Sequence, residues 1–546
     1  MTSPDDPPQH TAVPAAPADA PGPRPPASGL TPPPGGDGRR RGLIVAGVIA
    51  AVVAAVGAVV LVGGARPAEE FGDAAARSEV EPDDGATDDG DPAPEETAPP
   101  SRDPAAGTPA GADLTGVGDP YFPDAGNGGY DVDSYDLDLT WRPEVPRMDG
   151  VATITATATQ DLPELALDAV DLDIASVTVD GAAAGAEPTG ERDLVVTPAA
   201  AIASGDEFTV VVEYSAVPRT IQGADPVDPG WVADGDEVYA IFEPHGAATL
   251  FPVNDHPSDK ASYAFDVTVP EGLDVVTNGL HAGTEPGDGV VTWSYDAPDP
   301  MASYLVQLVI GDLVFVESTG PDGLPIRHVF DAAIADELAG SMDRTGEMIE
   351  VFNGLFGPYP FVAYGAVVVD ERLGFALETQ TLSIFGTDAA HSEQVIAHEL
   401  AHQWFGDAVS PATWQDIWLN EGFATYAELM WQEADGDGGP DQFAAAYGGR
   451  PSSMLDLPPG DPGASTLFAM SVYDRGALTL HVLRHEIGEE AFMTLVQTWF
   501  STYSGRSAST ADFEALAEEV SGQDLTALFD AWLRAPQMPS LDDWID

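Results

Sequence analysis

The segment HELAHQWFGD, residues 398–407, contains a histidine pair whose spacing could bind a metal ion. If the segment is helical, His398 and His402 lie one turn apart and both imidazoles project from the same face. Glu399 follows the first histidine and would be close enough to act on a water molecule bound to the same ion. The pentapeptide alone leaves a second interpretation open, because a histidine pair on a partly buried helix face can simply belong to the packing.

A third candidate ligand, Glu421, lies 19 residues after His402, in the segment LNEGFATYAELMWQEADG. The segment has helical spacing and is apolar around the glutamate, and a buried glutamate needs a cation to offset the loss of its hydration. Two histidines and a glutamate leave one of four positions for water, as in a catalytic zinc site, whereas a structural site closes all four. We therefore predict one zinc ion at His398, His402 and Glu421, with Glu399 as the catalytic base.

Other acidic and histidine-containing features are weaker candidates. Asp416 and Glu428 could each orient a zinc-binding histidine through a hydrogen bond. His481 and His485 repeat the spacing of the first pair, but no glutamate is adjacent and no distant carboxylate is apparent, so the pattern favours packing. The acidic turn 435–441 does not have EF-hand spacing, which favours a solvated turn over a calcium site.

The composition limits the classes of function. Asp and Glu number 91 against 20 Lys and Arg, giving a formal net charge of -71. Nucleic acid is excluded as a partner, because phosphate binding needs basic surface and the sequence offers no basic stripe. The chain has no cysteine, so disulfides, cysteine-bound zinc and thiolate nucleophiles are excluded as well.

The N-terminal part predicts a membrane-anchored protein. Residues 1–41 are rich in Pro, Gly and Ala and are predicted to be a disordered tail. Residues 42–65 carry no charge and exceed the ~20 apolar residues that a transmembrane helix needs, whereas a signal-peptide core is shorter. Three arginines, 39–41, precede this span, which predicts a single-pass protein with a cytoplasmic N-terminus and an extracellular catalytic domain. Residues 66–117 read as an acidic, disordered linker.

The remaining chain divides into two predicted domains. Residues 118–318 contain one strand-like segment after another, separated by Gly, Pro and Asp turns, which predicts an all-β sandwich-like domain. Residues 319–546 contain a helical segment that stops at Gly357, a short β segment, and then helices to the end. We expect a β domain followed by a mostly helical α+β domain.

Several segments resemble the M1 family of zinc aminopeptidases, which belongs to the gluzincin group. HELAH followed after 18 residues by Glu421 of NEGFA matches the family's zinc motif, and FEPHGAATLFPVNDHPSDKASY (242–263) resembles its FEP and DEP segment. GFALETQT (374–381) is similar to the exopeptidase segment GxMEN, and SVYDRGALTLHVLR (471–484) to the helix that carries the catalytic tyrosine. The resemblance runs in family order from about residue 120 to the end.

The resemblance implies a saddle-shaped β domain packed on a thermolysin-like catalytic domain, in a short two-domain form. It further implies that Glu243 and Glu378 bind the α-ammonium of a peptide substrate, for which two carboxylates are chemically suited. It also implies that Tyr473 donates a hydrogen bond to the developing oxyanion. If Tyr473 does not, Tyr426 is the next candidate. Without the resemblance, Glu243 would be interpreted as an exposed acid and Tyr473 as a core aromatic.

The sequence departs from the family pattern in two segments. In the exopeptidase segment the changes put the shape of the substrate subsite in question, and in the β domain they bear more on packing than on chemistry. These positions are Phe375, Leu377 and Thr379 in the first segment, and Ala248, Val253 and His256 in the second.

The predicted function is zinc-dependent removal of N-terminal residues from peptides outside the membrane. One alternative is an epoxide hydrolase of the leukotriene A4 hydrolase kind, which uses the same zinc site. Another is a catalytically inactive surface-binding protein, although Glu399, Glu421 and Tyr473 are all present. A third is an endopeptidase, if the altered segment 375–379 no longer binds the free amine.

Overall fold

The computed structural model describes residues 114, 116–223, 228–447 and 453–545. All of them belong to one unit of the chain, Ala93–Asp546. The predicted tail 1–41, the predicted transmembrane span 42–65 and most of the predicted linker 66–117 lie outside the described residues. Within the described ranges, none of the helices combines the length and apolar character needed to cross a membrane.

The N-terminal half of the described chain consists of β-strands, as predicted. Side chains along β2 alternate between buried and half-buried positions, which is the pattern of a strand with one face on a core. The strands are β1 (Tyr130–Arg142), β2 (Arg147–Ala158), β3 (Leu165–Asp168), β4 (Asp173–Val179), β5 (Ala182–Ala183), β6 (Gly185–Thr189), β7 (Asp193–Thr197), β8 (Glu207–Ala216), β9 (Arg219–Thr220), β10 (Gly230–Asp234), β11 (Glu237–Ile241), β12 (Lys260–Pro270), β13 (Asp274–Thr277), β14 (Leu280–Pro286), β15 (Val290–Ala302) and β16 (Leu308–Gly311).

These strands form three sheets. The largest has eight strands in the order β14-β15-β12-β1-β2-β8-β4-β5, with β1 parallel to β12 and antiparallel to β2. A five-stranded sheet has the order β13-β16-β11-β10-β9, and a small sheet has the order β3-β7-β6. The segment that follows β11 carries Glu243, so this part of the fold sets the position of that residue.

Another five-stranded sheet begins the catalytic half, and helices follow it along the chain. Its strands are β17 (Leu313–Thr319), β18 (Pro325–Asp331), β19 (Tyr364–Val368), β20 (Ala376–Leu377) and β21 (Ser383–Phe385), in the order β17-β18-β19-β21-β20, and β22 (Val409–Pro411) pairs with β23 (Arg506–Ala508). The predicted boundary between 318 and 319 falls at the end of β17. The helices are α1 (Ala335–Leu338), α2 (Thr345–Phe356), α3 (Glu393–Ala401), α4 (Trp418–Asp435), α5 (Pro440–Tyr447), α6 (Gly476–Ile487), α7 (Glu489–Tyr503), α8 (Thr510–Ser521) and α9 (Thr526–Phe529). The predicted fold class, a β domain followed by a mostly helical α+β domain, is confirmed.

Local sequence signals explain the ends of the two helices that carry the histidines and Glu421. The Ser392 side chain accepts a hydrogen bond from the Val395 amide and so caps the start of α3. After His402 the chain turns away through Gly406, whose φ of 129° lies in the region that favours glycine. Helix α4 ends at Gly436, which adopts the left-handed conformation typical of a helix C-terminus.

The only lysine of the chain joins the β domain to the loop after α3. Lys260 is buried at the start of β12, and its Nζ donates to the carbonyl oxygens of Asp407 at 2.5 Å and Ala408 at 3.1 Å. Beside it, the Tyr304 hydroxyl donates to the Gly406 carbonyl oxygen at 3.2 Å. These contacts fix the β domain against the end of the histidine helix.

We predict that Lys260→Met destabilises the protein by about 1–3 kcal/mol, because two buried carbonyl groups lose their donor. The free energy of unfolding from denaturant titration measures the effect. Arg506→Met, which removes an exposed positive charge from β23 of the catalytic half, serves as the control and should change stability by less than about 0.5 kcal/mol. Equal effects of the two substitutions would show that the Lys260 contacts do not stabilise the junction.

Candidate metal centre

The packing of α3 against α4 brings the three predicted ligands together. One ligand atom each of His398, His402 and Glu421 lies within 4.8 Å of the others. Glu421 Oε2 is 3.3 Å from His398 Nε2 and 3.4 Å from His402 Nε2. Bond lengths of ~2.0–2.1 Å around a tetrahedral zinc ion place ligand atoms about 3.3 Å apart, so the spacing fits zinc.

The electrostatics of this group also fit a cation. Burial would raise the pKa of Glu421, but the charges and hydrogen bonds of His402 and His398 lower it to about 2. Burial would lower the pKa of His398, but hydrogen bonds to Glu421 and Glu428 outweigh it and raise the pKa well above the usual histidine range. The carboxylates around the histidines thus favour a positive charge at this place, which either protonated histidines or a metal ion would supply.

One of the two candidates for orienting a histidine lies in a suitable place. Glu428 Oε2 is 3.5 Å from His398 Nδ1, the ring nitrogen that faces away from Glu421. Asp416 instead accepts hydrogen bonds from the Thr510 amide and hydroxyl at 2.8 and 2.7 Å, so it links α4 to α8. The second histidine is oriented by a backbone group, because His402 Nδ1 lies 3.0 Å from the Phe405 carbonyl oxygen.

The two residues implied to bind an ammonium lie next to this group. Carboxylate oxygens of Glu243, Glu378 and Glu421 are within 4.8 Å of one another. Glu243 and Glu378 are each only 2 % exposed, and Oε1 of each has no hydrogen-bond partner among the described residues. Burial and the neighbouring carboxylates raise the pKa of Glu243 well above its usual range. Among the described residues no arginine or lysine pairs with these two buried carboxylates, so together they can form a receptor for a positively charged group.

A buried ion-pair network holds the segment that presents Glu243. Arg192, which precedes β7, pairs with Asp168 and, at 2.6 Å, with Asp255, and it donates to the His245 carbonyl oxygen at 3.1 Å. Because two carboxylates share one guanidinium in the core, the segment after β11 has little freedom to move.

The three departures from the family pattern in this segment are packing positions. Ala248 and Val253 are fully buried, and the Ala248 amide donates to Asp255 at 3.2 Å. His256 Nε2 lies 3.2 Å from Asp119 Oδ2, which also accepts from the Trp414 amide at 2.8 Å. Ala248 and Val253 therefore belong to the packing of the β domain, and His256 contributes to its junction with the catalytic half.

Glu399 and Tyr473 border the same group of side chains. Glu399 is 5 % exposed, and burial raises its pKa to about 8. The Tyr473 ring lies against the His398 ring, with centroids 5.9 Å apart and planes inclined by 22°. Burial and the nearby glutamates, Glu421 foremost, raise the pKa of Tyr473 well above 10, so its hydroxyl stays protonated and can donate. The alternative donor, Tyr426, contacts His481 and Arg484 instead.

Sequence reasoning missed Gln403, which connects the histidine helix to the Glu378 segment. Its Nε2 donates to the Glu378 carbonyl oxygen at 2.9 Å and to Asp407 Oδ2 at 2.6 Å, and its Oε1 accepts from the Thr381 amide at 2.8 Å. Thr381 has a φ of 65°, which a β-branched residue rarely adopts, so these contacts hold a strained backbone. The signal that the sequence offered was the position of Gln403, an amide side chain directly after the second histidine.

Comparison with protein-family models gives two matches. The Peptidase M1 N-terminal domain matches residues 132–305, and the Peptidase family M1 domain matches residues 341–447 and 458–532. The two matches cover most of the part of the chain that the structure describes, and their order is that of the two structural halves.

Individual relatives agree with these matches. The chain is 32% identical to an M1 zinc metallopeptidase of Deinococcus radiodurans, solved as a mutant with a Tyr-Ser-Ala substrate; the match has a TM-score of 0.73 and covers 78% of this chain and 99% of that one. It is 30% identical to aminopeptidase N of Streptomyces lividans over 74% of this chain and 50% of the relative. It is 26% identical to a leukotriene A-4 hydrolase homolog of Botryotinia fuckeliana over 72% and 67% of the two chains. The chain thus spans about half the length of the Streptomyces relative.

We predict that Glu428→Gln weakens zinc affinity by about 10–100-fold, the usual effect of losing a carboxylate behind a metal-binding histidine. Competition with a chelator of known affinity measures the change. Asp416→Asn is the matched control, because it alters the other candidate and should leave zinc affinity unchanged while loosening the contact with α8. A larger loss of zinc affinity in Asp416→Asn than in Glu428→Gln would reverse the assignment.

Proposed function

Because the chain belongs to the M1 peptidase family, we propose that it is a zinc-dependent aminopeptidase that removes N-terminal residues from peptides. The observation that carries this proposal is the pair of buried, unpaired carboxylates, Glu243 and Glu378, beside the zinc ligands. The α-ammonium of a peptide would give both carboxylates a cationic partner and would bring the first peptide bond near Glu399. The relatives support the proposal, since one is named aminopeptidase N and another was solved with a tripeptide substrate.

In the proposed reaction each residue has a separate task. Zinc held by His398, His402 and Glu421 would acidify a bound water to a pKa of about 7 and polarise the peptide carbonyl. Glu399, whose ionised form a neighbouring cation favours, accepts the proton of the attacking water and passes it to the leaving amine. The protonated Tyr473 hydroxyl donates to the oxygen on which negative charge develops.

The requirement for a free amine tests this function. Wild type should cleave Tyr-Ser-Ala and should leave N-acetyl-Tyr-Ser-Ala intact, because the acetylated amine carries no charge. Glu378→Gln should lower kcat/KM for the free peptide by about 10–100-fold, the effect of losing one charged hydrogen bond, with zinc content unchanged. Glu371→Gln, an exposed glutamate near the same segment, is the control and should match wild type.

Three outcomes would contradict the proposal. Equal cleavage of the free and acetylated peptides would indicate an endopeptidase. Turnover of a lipid epoxide without peptide cleavage would indicate an epoxide hydrolase. No activity on any peptide despite one bound zinc would favour a binding protein.

If the protein is an active aminopeptidase, Glu399→Gln should lower kcat by about 10²–10⁴-fold, because the substitution removes the general base.

We also propose that residues 42–65 anchor the chain in the cell membrane and that the catalytic domain is extracellular. The support is the uncharged composition of this span and the three arginines before it. Protease added to intact cells should release an active fragment cut between Arg66 and Leu114, because the acidic, Pro- and Gly-rich composition of this segment predicts a backbone that proteases can reach. Activity that becomes measurable only after lysis would place the catalytic domain inside.

A further inference from the structure

A second group of ligand-type side chains lies between α5 and α6. Asp441 on α5 and His481 and His485 on α6 each offer one ligand atom, and these atoms lie within 4.8 Å of one another. The sequence favoured packing for this histidine pair because no carboxylate was apparent near it. The fold brings such a carboxylate next to the pair: Asp441, which precedes His481 by 40 residues and lies in the first turn of α5.

The two histidine pairs have nearly the same geometry. The His481 and His485 rings have centroids 4.7 Å apart and planes at 79°, against 4.8 Å and 77° for His398 and His402. Each pair therefore presents its imidazoles to one carboxylate in the same way. The metal centre has Glu421 in that place, and this group has Asp441.

The spacing of the ligand atoms leaves room for an ion. Asp441 Oδ1 is 3.6 Å from His481 Nε2 and 3.8 Å from His485 Nε2, both longer than a direct hydrogen bond. These separations exceed the tetrahedral value of about 3.3 Å by a few tenths of an ångström. The Asp441 side chain is 89 % exposed and can close the difference by a small rotation.

The surroundings of His481 suit a ligand. Its Nδ1 lies 3.3 Å from the Tyr426 hydroxyl oxygen, which can accept the Nδ1 proton and leave the Nε2 lone pair facing Asp441. The nearby cation Arg484 is paired with Glu489 and, at 3.7 Å, with Glu433.

We propose that Asp441, His481 and His485 form a second metal site, specific for a borderline divalent ion such as Zn²⁺ or Ni²⁺. Two imidazoles favour such ions over Mg²⁺ and Ca²⁺, which take oxygen ligands. The exposed Asp441 and the part-exposed His485 leave the other coordination positions to water. The ion would join α5 to α6.

The two helices of the second site, α5 and α6, are both linked to the segment that carries Tyr473. At the far end of α5, the Tyr447 hydroxyl donates to Asp474, the neighbour of Tyr473. Helix α6 begins at Gly476, three residues after Tyr473. Both helices that carry the ligands of the second site, α5 and α6, therefore connect to the segment of Tyr473. An ion bound there would stabilise this part of the fold without contacting the substrate.

Metal counting tests the proposal. The full chain, dialysed to one zinc per molecule, is titrated with Zn²⁺ and separately with Ni²⁺ in excess Mg²⁺, which occupies ordinary acidic surface. Wild type should bind one further equivalent and its thermal midpoint should rise in parallel. His485→Ala and Asp441→Asn should keep the first zinc and lose both the second equivalent and the thermal shift.

Two control variants separate this site from general binding to a chain of formal net charge -71. His391→Ala removes an exposed histidine elsewhere, and Asp437→Asn removes an exposed acid from the turn before α5. Both should retain the second equivalent. The proposal is overturned if wild type takes up no second ion, or if His485→Ala and Asp441→Asn bind as much as the controls, which would mean an adventitious ion only.

Discussion

The free-energy cost of ionising several buried glutamates is the constraint on which the rest of this structure depends. Glu243, Glu378, Glu399 and Glu421 all lie within the interior around one point, and among the described residues no arginine or lysine pairs with them. An ionised carboxylate in such a place costs several kcal/mol unless a cation offsets it. The two histidines offset part of this charge. A divalent ion and an ammonium group would offset the rest, so the same feature explains both the metal and the choice of substrate.

The scaffold has to keep these carboxylates in place although they repel one another. The Arg192 network fixes the segment of Glu243, and Gln403 fixes the segment of Glu378 to the histidine helix. Lys260 joins the two halves of the protein beside that helix. Each of these holding residues acts through backbone carbonyl groups or buried acids, so the site is positioned by hydrogen bonds that belong to the fold and not by the ligands alone.

The sequence predicted what depends on local spacing. The fold class followed from strand and helix periodicity, and the histidine pair followed from a four-residue interval within one helix. Contacts between distant segments could not be found this way: Glu243 and Tyr473 were singled out only by resemblance, and the proximity of Asp441 to His481 was missed. Asp416 looked like a partner of the zinc histidines, yet it lies two residues before α4 and contacts Thr510 of α8. The spacing of residues along a helix determines which side chains share a face, whereas the residues that they contact depend on how the helices pack.

Proton release on zinc binding tests the central claim most directly. In the metal-free protein, hydrogen bonds to Glu421 and Glu428 raise the pKa of His398, and the nearby carboxylates of Glu378 and Glu421 raise the pKa of His402, which favours the protonated form of each ring. Calorimetric titration of the metal-free chain with one equivalent of zinc, in buffers of different ionisation enthalpy, counts the protons displaced. We expect more than one proton per zinc at pH 7, and an affinity that falls as the pH is lowered. Zinc binding that releases no protons and is independent of pH between 6 and 8 would show that the buried charge is already balanced, and would contradict the account.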